Sequence, residues 1–342
     1  MRTPNLRAGL VTLFVLLAGC GSLPPPPAPP ATAAAPAVAG EVLGRSERYL
    51  IVQPRTDDTL RSIAARHLGS AERDWVIGDF NGLSAPLPGR PLVVPLQPPH
   101  PHGVQDDRYQ TVPILCYHRF GGAANKMAVS PGNFAAQLDW LARNDYRVIR
   151  LSQLIGFLQG REALPKRAVV ITIDDGYESV HRHALPALRK HGFPATLFVY
   201  SDFVGAGDAL SWAQIGELRA SGLVDIQAHS KTHRNLIERL AGESDERYRQ
   251  SLDAELRAPR EAIERRLPGQ QVRHFAYPYG DANEAVLALM TRQQYQIGVT
   301  VHPGGNAFFA APLMLRRTMI FGDHDLDDFK ARLQISRGIA AP

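Results

Sequence analysis

The run Ala168-Val169-Val170-Ile171-Thr172-Ile173 constrains the fold of this 342-residue chain more than any other segment. It is apolar and β-branched without alternation. That is the pattern of a strand buried on both faces, and such strands belong to parallel sheets covered by helices. Directly after it stand Asp174, Asp175 and Gly176. Gly176 permits a sharp exit from the strand that turns both carboxylates toward one site. One acid can then hold a cation while its neighbour stays free as a base; the plainer reading is a loop pair capping the helix that follows.

Six further runs read as strands: Val112 to Tyr117, Ala195 to Tyr200, Leu223 to Ala228, His274 to Tyr277, Gln296 to Val301 and Leu313 to Ile320. Amphipathic stretches separate most of them, among them Asn133 to Arg143, Glu178 to His191 and Glu246 to Arg266. About 230 residues of alternating β and α predict a barrel of parallel strands, in which functional residues collect at the C-terminal strand ends.

Two more motifs fall at such ends. His229-Ser230-Lys231-Thr232-His233 follows the run ending at Ala228, and two imidazoles four residues apart can reach one ion if the segment turns helical. With twelve histidines in the chain, that pair alone is weak evidence. Arg273-His274-Phe275-Ala276-Tyr277-Pro278-Tyr279-Gly280 ends another β-rich run in a turn.

Taken in order, Val112-Pro113-Ile114-Leu115-Cys116-Tyr117-His118, then T-I-D-D-G, H-S-K-T-H and F-A-Y-P-Y-G, the chain resembles the polysaccharide deacetylase family, the NodB-homology or carbohydrate esterase family 4 group. The resemblance runs from about residue 111 to residue 338, and its opening and A-Y-P-Y-G segments are most similar to the poly-N-acetylglucosamine deacetylase branch. It implies an α/β fold, a distorted, incomplete (β/α) TIM-type barrel, and an N-deacetylase of an envelope or extracellular glycan. A divalent metal on Asp175, His229 and His233 would be a two-histidine, one-carboxylate site with open positions, the pattern of catalytic centres. That donor set suits Zn²⁺ first, with Co²⁺, Ni²⁺ or Fe²⁺ also compatible. Asp174 is the expected general base. The resemblance further implies that the Tyr279 N–H holds the oxyanion, and it offers two histidines as the acid: His118, where the rearranged branch carries it, and His302 as runner-up. The family's arginine that orients the base stands four residues before the motif glycine; here that position is Ala276, and its replacement is left open. Tyr177, Tyr277 and Trp212, near predicted strand ends, are the candidate substrate-binding aromatics.

The first residues address the chain. Arg2 and Arg7 precede a ten-residue apolar segment, Ala8 to Leu17, too short to span a bilayer, and Leu17-Ala18-Gly19-Cys20 resembles a bacterial lipobox. Residues 1–19 are then a signal peptide, Cys20 carries the lipid, and Gly21 favours the outer membrane, facing the periplasm. The second cysteine, Cys116, falls in a buried strand, so no disulfide is expected. Residues 20–47 read as a Pro/Ala-rich tether reaching on the order of 80 Å at full extension. Residues 48–96 resemble a LysM domain, a βααβ module that binds N-acetylglucosamine polymers. They match through D-T-L-R-S-I-A, Asn81 and P-G-R-P-L-V-V-P, with Arg55-Thr56-Asp57 departing from the usual entry turn. Residues 97–110 are a second linker.

The net charge of +5 comes from lysines and arginines spread along the chain, with no basic stripe interleaved with aromatics, which argues against nucleic acid as a partner. The expected partners are an N-acetylglucosamine-containing polysaccharide, peptidoglycan or the biofilm polymer, and a membrane through Cys20. A non-catalytic glycan-binding lipoprotein and an O-acetyl polysaccharide esterase are the alternatives.

Overall fold

The computed structural model describes residues 40–122 and 125–339. The expected signal peptide, Cys20 and the Pro/Ala tract up to residue 39 lie outside the described residues.

Six parallel strands form the body of the larger domain, in the spatial order Ile297–Val299, His274–Ala276, Val224–Ala228, Ala195–Val199, Ala168–Ile173 and Val112–Tyr117. The two most apolar runs keep their expected bounds, while the others are shorter by one to three residues. The expected strand Leu313 to Ile320 is broken. Pro312, lacking an N–H, starts the 3₁₀ turn Pro312–Met314, and only Thr318–Met319 pairs in parallel, with Leu115 and Cys116. On its other side Leu315 bridges Val299. Residues 315–319 therefore reach from the last strand of the sheet toward the first, and the sheet curls into an incomplete (β/α) barrel. A three-residue strand not anticipated, Arg147–Ile149, pairs with Ala168, Val169 and Val170.

Helix Pro131–Arg143 starts where Ser130 Oγ accepts the Asn133 N–H at 3.0 Å, with Pro131 in the first turn. The stretch predicted as one helix from Glu178 to His191 is instead a π turn, Val180–Ala184, running into the helix Leu185–His191. Pro186 is the reason: without an N–H it interrupts the i to i−4 ladder. The long helix Asp245–Arg266 carries Pro259 in its interior.

Strand alternation decides what enters the barrel. Val112, Ile114, Ala168, Val170, Ala276, Ile297, Val299 and Leu315 form one buried cluster inside it, whereas Leu115, Tyr117, Val169, Ile171 and Ile173 pack outward against helix residues such as Phe134, Leu138 and Leu188. Counting on by twos places Cys116 and His118, Thr172 and Asp174, and Arg317 on the inner side, above an apolar plug.

The smaller module has helices Leu60–Leu68 and Asp74–Asn81 and a three-stranded antiparallel sheet in the order Val42–Arg45, Tyr49–Val52, Leu92–Pro95. The expected βααβ unit thus gains a leading strand, formed by residues 42–45, which were expected to belong to the tether. That strand is short and largely exposed, so it carries no apolar signal. Asn81 stitches the module together: its side chain donates to Ile77 O and Val93 O and accepts from the Val93 N–H. The predicted linker is also partly ordered, since Arg108–Gln110 pairs with Ser336–Gly338. Module and barrel meet through Arg147, which donates to the buried Asp74 carboxylate at 2.8 Å, and through Lys166, whose N–H donates to Asp79 Oδ2 at 2.9 Å.

Candidate active site

Asp175, His229 and His233 converge at the C-terminal end of the barrel, each offering a ligand atom within 4.8 Å of the others. His229 Nδ1 lies 2.7 Å from Ala276 O. A carbonyl oxygen only accepts, so Nδ1 carries the proton and Nε2 presents its lone pair to the cluster. His229 Nε2 and His233 Nε2 both stand 3.5 Å from Asp175 Oδ1. That is long for a charge-assisted hydrogen bond and close to the separation of about 3.4 Å expected between two ligands sharing a tetrahedral ion at ~2.1 Å. The donor set and its spacing fit a divalent cation. The pair is reached by a tight turn, not the helix considered from the i, i+4 spacing: Ser230 and His233 have φ of 71° and 65°, and Ser230 Oγ accepts the His233 N–H at 2.9 Å.

Asp174 faces the other way. Its Oδ1 and Oδ2 each accept a 2.7 Å hydrogen bond from Arg317, in a bidentate pair that is wholly buried. Arg317 is itself fixed by Nε donating to Thr300 O at 2.8 Å and Nη1 to Thr172 Oγ1 at 3.1 Å. Burial alone would push the Asp174 carboxyl up; the Arg317 guanidinium, joined by His229 and His118, outweighs it and holds the group well below the usual carboxylate range. Asp174 is therefore an ionised acceptor with no direct share in the Asp175 cluster. The arginine missing at Ala276 is replaced from a different strand. Sequence reading passed over Arg317, although an arginine inside the run Leu313 to Ile320 was the available signal: a charge at an inward position of a strand requires a partner.

His118 completes the group. One of its ring nitrogens lies within 4.8 Å of an Asp174 oxygen and of Cys116 Sγ, and the ring is mostly buried, which lowers its pKa against the opposing pull of Asp174 and Asp175. Cys116 Sγ is 3.5 Å from Asp174 Oδ2. His302, the runner-up for the acid, is exposed; its N–H donates to Thr300 Oγ1, and it is not among the residues that converge on the carboxylates.

Tyr279 sits at φ 62° in the turn after Pro278, and its N–H has no hydrogen-bond partner among the described residues. Its ring, 62% exposed, packs edge-on to His233 at 5.0 Å. Tyr177 lies at the rim beneath Arg119, whose guanidinium is 3.7 Å from the ring centroid, and beside Phe203. Tyr200, missed from sequence, stacks on Phe203 and contacts the His233 ring, so Tyr177, Phe203, Tyr200 and Tyr279 line the cluster with aromatic surface. Two expected substrate contacts are corrected. Tyr277 is wholly buried with its hydroxyl donating to Leu313 O at 2.7 Å, because strand alternation turns it into the core. Trp212 packs against the outer core with Arg266 over its ring, as the first residue of helix Trp212–Ala220.

The sequence pattern of the family described as "Polysaccharide deacetylase" matches residues 161–298, the stretch that carries Asp174, Asp175, His229, His233 and Tyr279. The poly-beta-1,6-N-acetyl-D-glucosamine N-deacetylase of Staphylococcus epidermidis is 25% identical over 179 residues, covering 51% of this chain and 61% of that protein. The structure of IcaB from Ammonifex degensii is 29% identical with a TM-score of 0.59, over 66% of this chain and 97% of that one. The Streptococcus pyogenes deacetylase PplD in complex with acetate shares the fold at 23% identity, with a TM-score of 0.58 over 65% of this chain and 98% of that one.

Proposed function

We propose that this chain, whose residues 161–298 carry the polysaccharide deacetylase pattern, removes N-acetyl groups from N-acetylglucosamine residues of an extracellular or envelope polysaccharide, releasing acetate. The observation that carries this reading is the pairing of an ionised carboxylate locked on Arg317 with a separate cation-ready trio one residue away.

Asp175, His229 and His233 would hold the divalent ion, for which the two-imidazole, one-carboxylate set favours Zn²⁺. When bound, such an ion supplies Lewis-acid polarisation of the amide carbonyl and acidifies water. Asp174, kept deprotonated by Arg317, accepts a proton from the attacking water, and the bidentate grip keeps its lone pairs aimed as the proton arrives. The Tyr279 N–H, unpaired and presented by a left-handed residue, donates to the developing oxyanion; Pro278 has no N–H to offer. His118, across the cluster from the metal ligands, gives the departing amine its proton. Burial lowers the His118 pKa, so the proton it gives the amine is the one Asp174 takes from the water and passes on, the two groups lying within 4.8 Å of each other. Tyr177, Tyr200 and Tyr279 offer faces on which pyranose rings stack.

The reading extends to the rest of the chain. The small module would bind the same class of polymer and hold it near the barrel, and Cys20 would anchor the protein by lipid at the outer membrane, facing the periplasm. The module's sequence resemblance and the lipobox-like L-A-G-C support these roles.

Acetate release from N-acetylglucosamine oligomers tests the proposal. The metal-loaded chain is expected to release acetate, chelation to abolish it, and Asp174→Asn to lower it by about 10²–10⁴-fold while leaving the far-ultraviolet circular dichroism unchanged. Full activity in the Asn variant removes Asp174 as the base. An absence of release from these oligomers, peptidoglycan and an O-acetylated polymer alike, with metal shown to be bound, returns the chain to glycan binding alone.

A further inference from the structure

The turn that carries both histidines is held from outside the site. Glu255, near the middle of helix Asp245–Arg266, is buried at 4% exposure, and its carboxylate faces the residues between His229 and His233. Oε2 accepts the Lys231 and Thr232 N–H groups, each at 2.9 Å, and Oε1 accepts the Thr232 hydroxyl at 2.8 Å. Among the described residues it forms no ion pair within 4.0 Å. A buried carboxylate with no cation in contact is costly unless donors saturate it; Lys231 and Arg234 act on it only at longer range, and the donors are supplied by one turn alone. That turn needs holding: Ser230 and His233, which bracket Lys231 and Thr232, both occupy left-handed backbone that side-chain-bearing residues disfavour. The helix beneath does not yield, because Leu252, Leu256 and Ile263 are fully buried in the core on either side of Glu255.

We infer that Glu255 is a positioning residue for the metal site, holding His229 and His233 in their ligating arrangement before an ion arrives. It touches neither ion nor substrate; it acts through the Lys231 and Thr232 backbone. The inference rests on the metal-site reading above and adds the device that preorganises it. Its consequence lies in metal affinity, since loss of such outer partners typically weakens binding by about 10–100-fold.

The test is calorimetric titration of Zn²⁺ into the metal-free whole chain, paired with melting temperatures of the free and loaded forms. Glu255→Ala is expected to weaken zinc binding at least tenfold and to shrink the rise in melting temperature on loading. Glu255→Gln is expected to stay within about threefold of the parent, because the amide oxygen accepts both N–H groups and the NH₂ donates to Thr232 Oγ1. Where the Ala variant does not fold, Glu255→Asp, which withdraws the carboxylate by one methylene, carries the comparison. A folded Ala or Asp variant that binds zinc as tightly as the parent overturns the inference. So does an equal loss of melting temperature in free and loaded forms, the signature of a purely structural role. A Gln variant as weak as Ala overturns positioning in favour of charge. A parent chain that takes up no zinc overturns the metal-site reading itself, and this inference with it.

Discussion

The small N-terminal module and the open end of the barrel both turn the chain through left-handed backbone, and they do so with different residues. In the module every such turn falls on glycine: Gly40, Gly69, Gly82 and Gly89, at φ between 67° and 86°. Around the candidate site Gly176 and Gly280 share this region with four residues that carry a Cβ, Asp175, Ser230, His233 and Tyr279, at φ between 62° and 73°. Glycine adopts this region without penalty, whereas a residue with a Cβ costs on the order of 1–3 kcal/mol. The module accordingly satisfies its turns at least cost, while the barrel accepts strain where the side chain or the N–H cannot be given up. The same contrast runs through the charges. In the module only the carboxylate of the Asp58–Arg66 pair is buried, at 3% exposure against 31% for Arg66, whereas the barrel buries both partners, Asp174 and Arg317, at 2% and 0%.

The sharpest way to break that contrast is to remove the buried counter-ion. Arg317→Met leaves Asp174 buried and unpaired, and breaking such a pair costs about 3–5 kcal/mol. Urea unfolding is expected to register that loss in the barrel transition. Burial, then opposed only by His229 and His118, also raises the Asp174 pKa, so any surviving acetate release should shift its acid limb to higher pH; an unshifted limb shows that Arg317 does not tune the base.

The next effect is the pH dependence of barrel stability. Burial pushes the His274 imidazole down to about 4 from its ordinary 6.5. Between these values the unfolded chain binds the proton and the folded chain does not, so stability is complete above the ordinary value and is lost as pH falls toward the folded one. The loss amounts to about 3 kcal/mol, and His274→Leu is expected to flatten the melting temperature across that window. A parallel profile in the variant assigns the acid sensitivity elsewhere.

The smallest effect compares the two kinds of turn directly. Gly82→Ala meets no neighbour within 4 Å, so its cost, about 1 kcal/mol, is backbone strain alone and falls on the module. Tyr279→Gly relieves strain and should leave the barrel at least as stable, while raising KM for the polysaccharide severalfold through loss of the exposed ring. If Tyr279→Gly destabilises the barrel as Gly82→Ala does the module, the contrast between them fails.

Most of the site was legible because its residues lie within a few positions of strand ends that the apolar pattern reveals. Asp174 and Asp175 close the strand Ala168–Ile173, His229 follows Val224–Ala228, and His118 follows Val112–Tyr117. The aromatic contacts were less legible. Tyr277 and Tyr279 are two residues apart in one motif, yet one lies in the core and the other is exposed, because the turn at Pro278 ends the strand alternation between them.

The sequence by itself determined the alternating β/α order, the strand ends at which chemistry collects, and the residues able to hold a cation, since each is written in a local pattern of burial and spacing. Tertiary structure decided the partners. Arg317 reaches Asp174 across 143 positions of chain only because residues 315–319 curl the sheet back toward its first strand. It also separated His118 from His302, buried Tyr277, and added a strand before the small module. No local periodicity encodes such contacts: which inward-facing side chains meet is set by how the sheet closes, and closure depends on the packing of every strand and helix together.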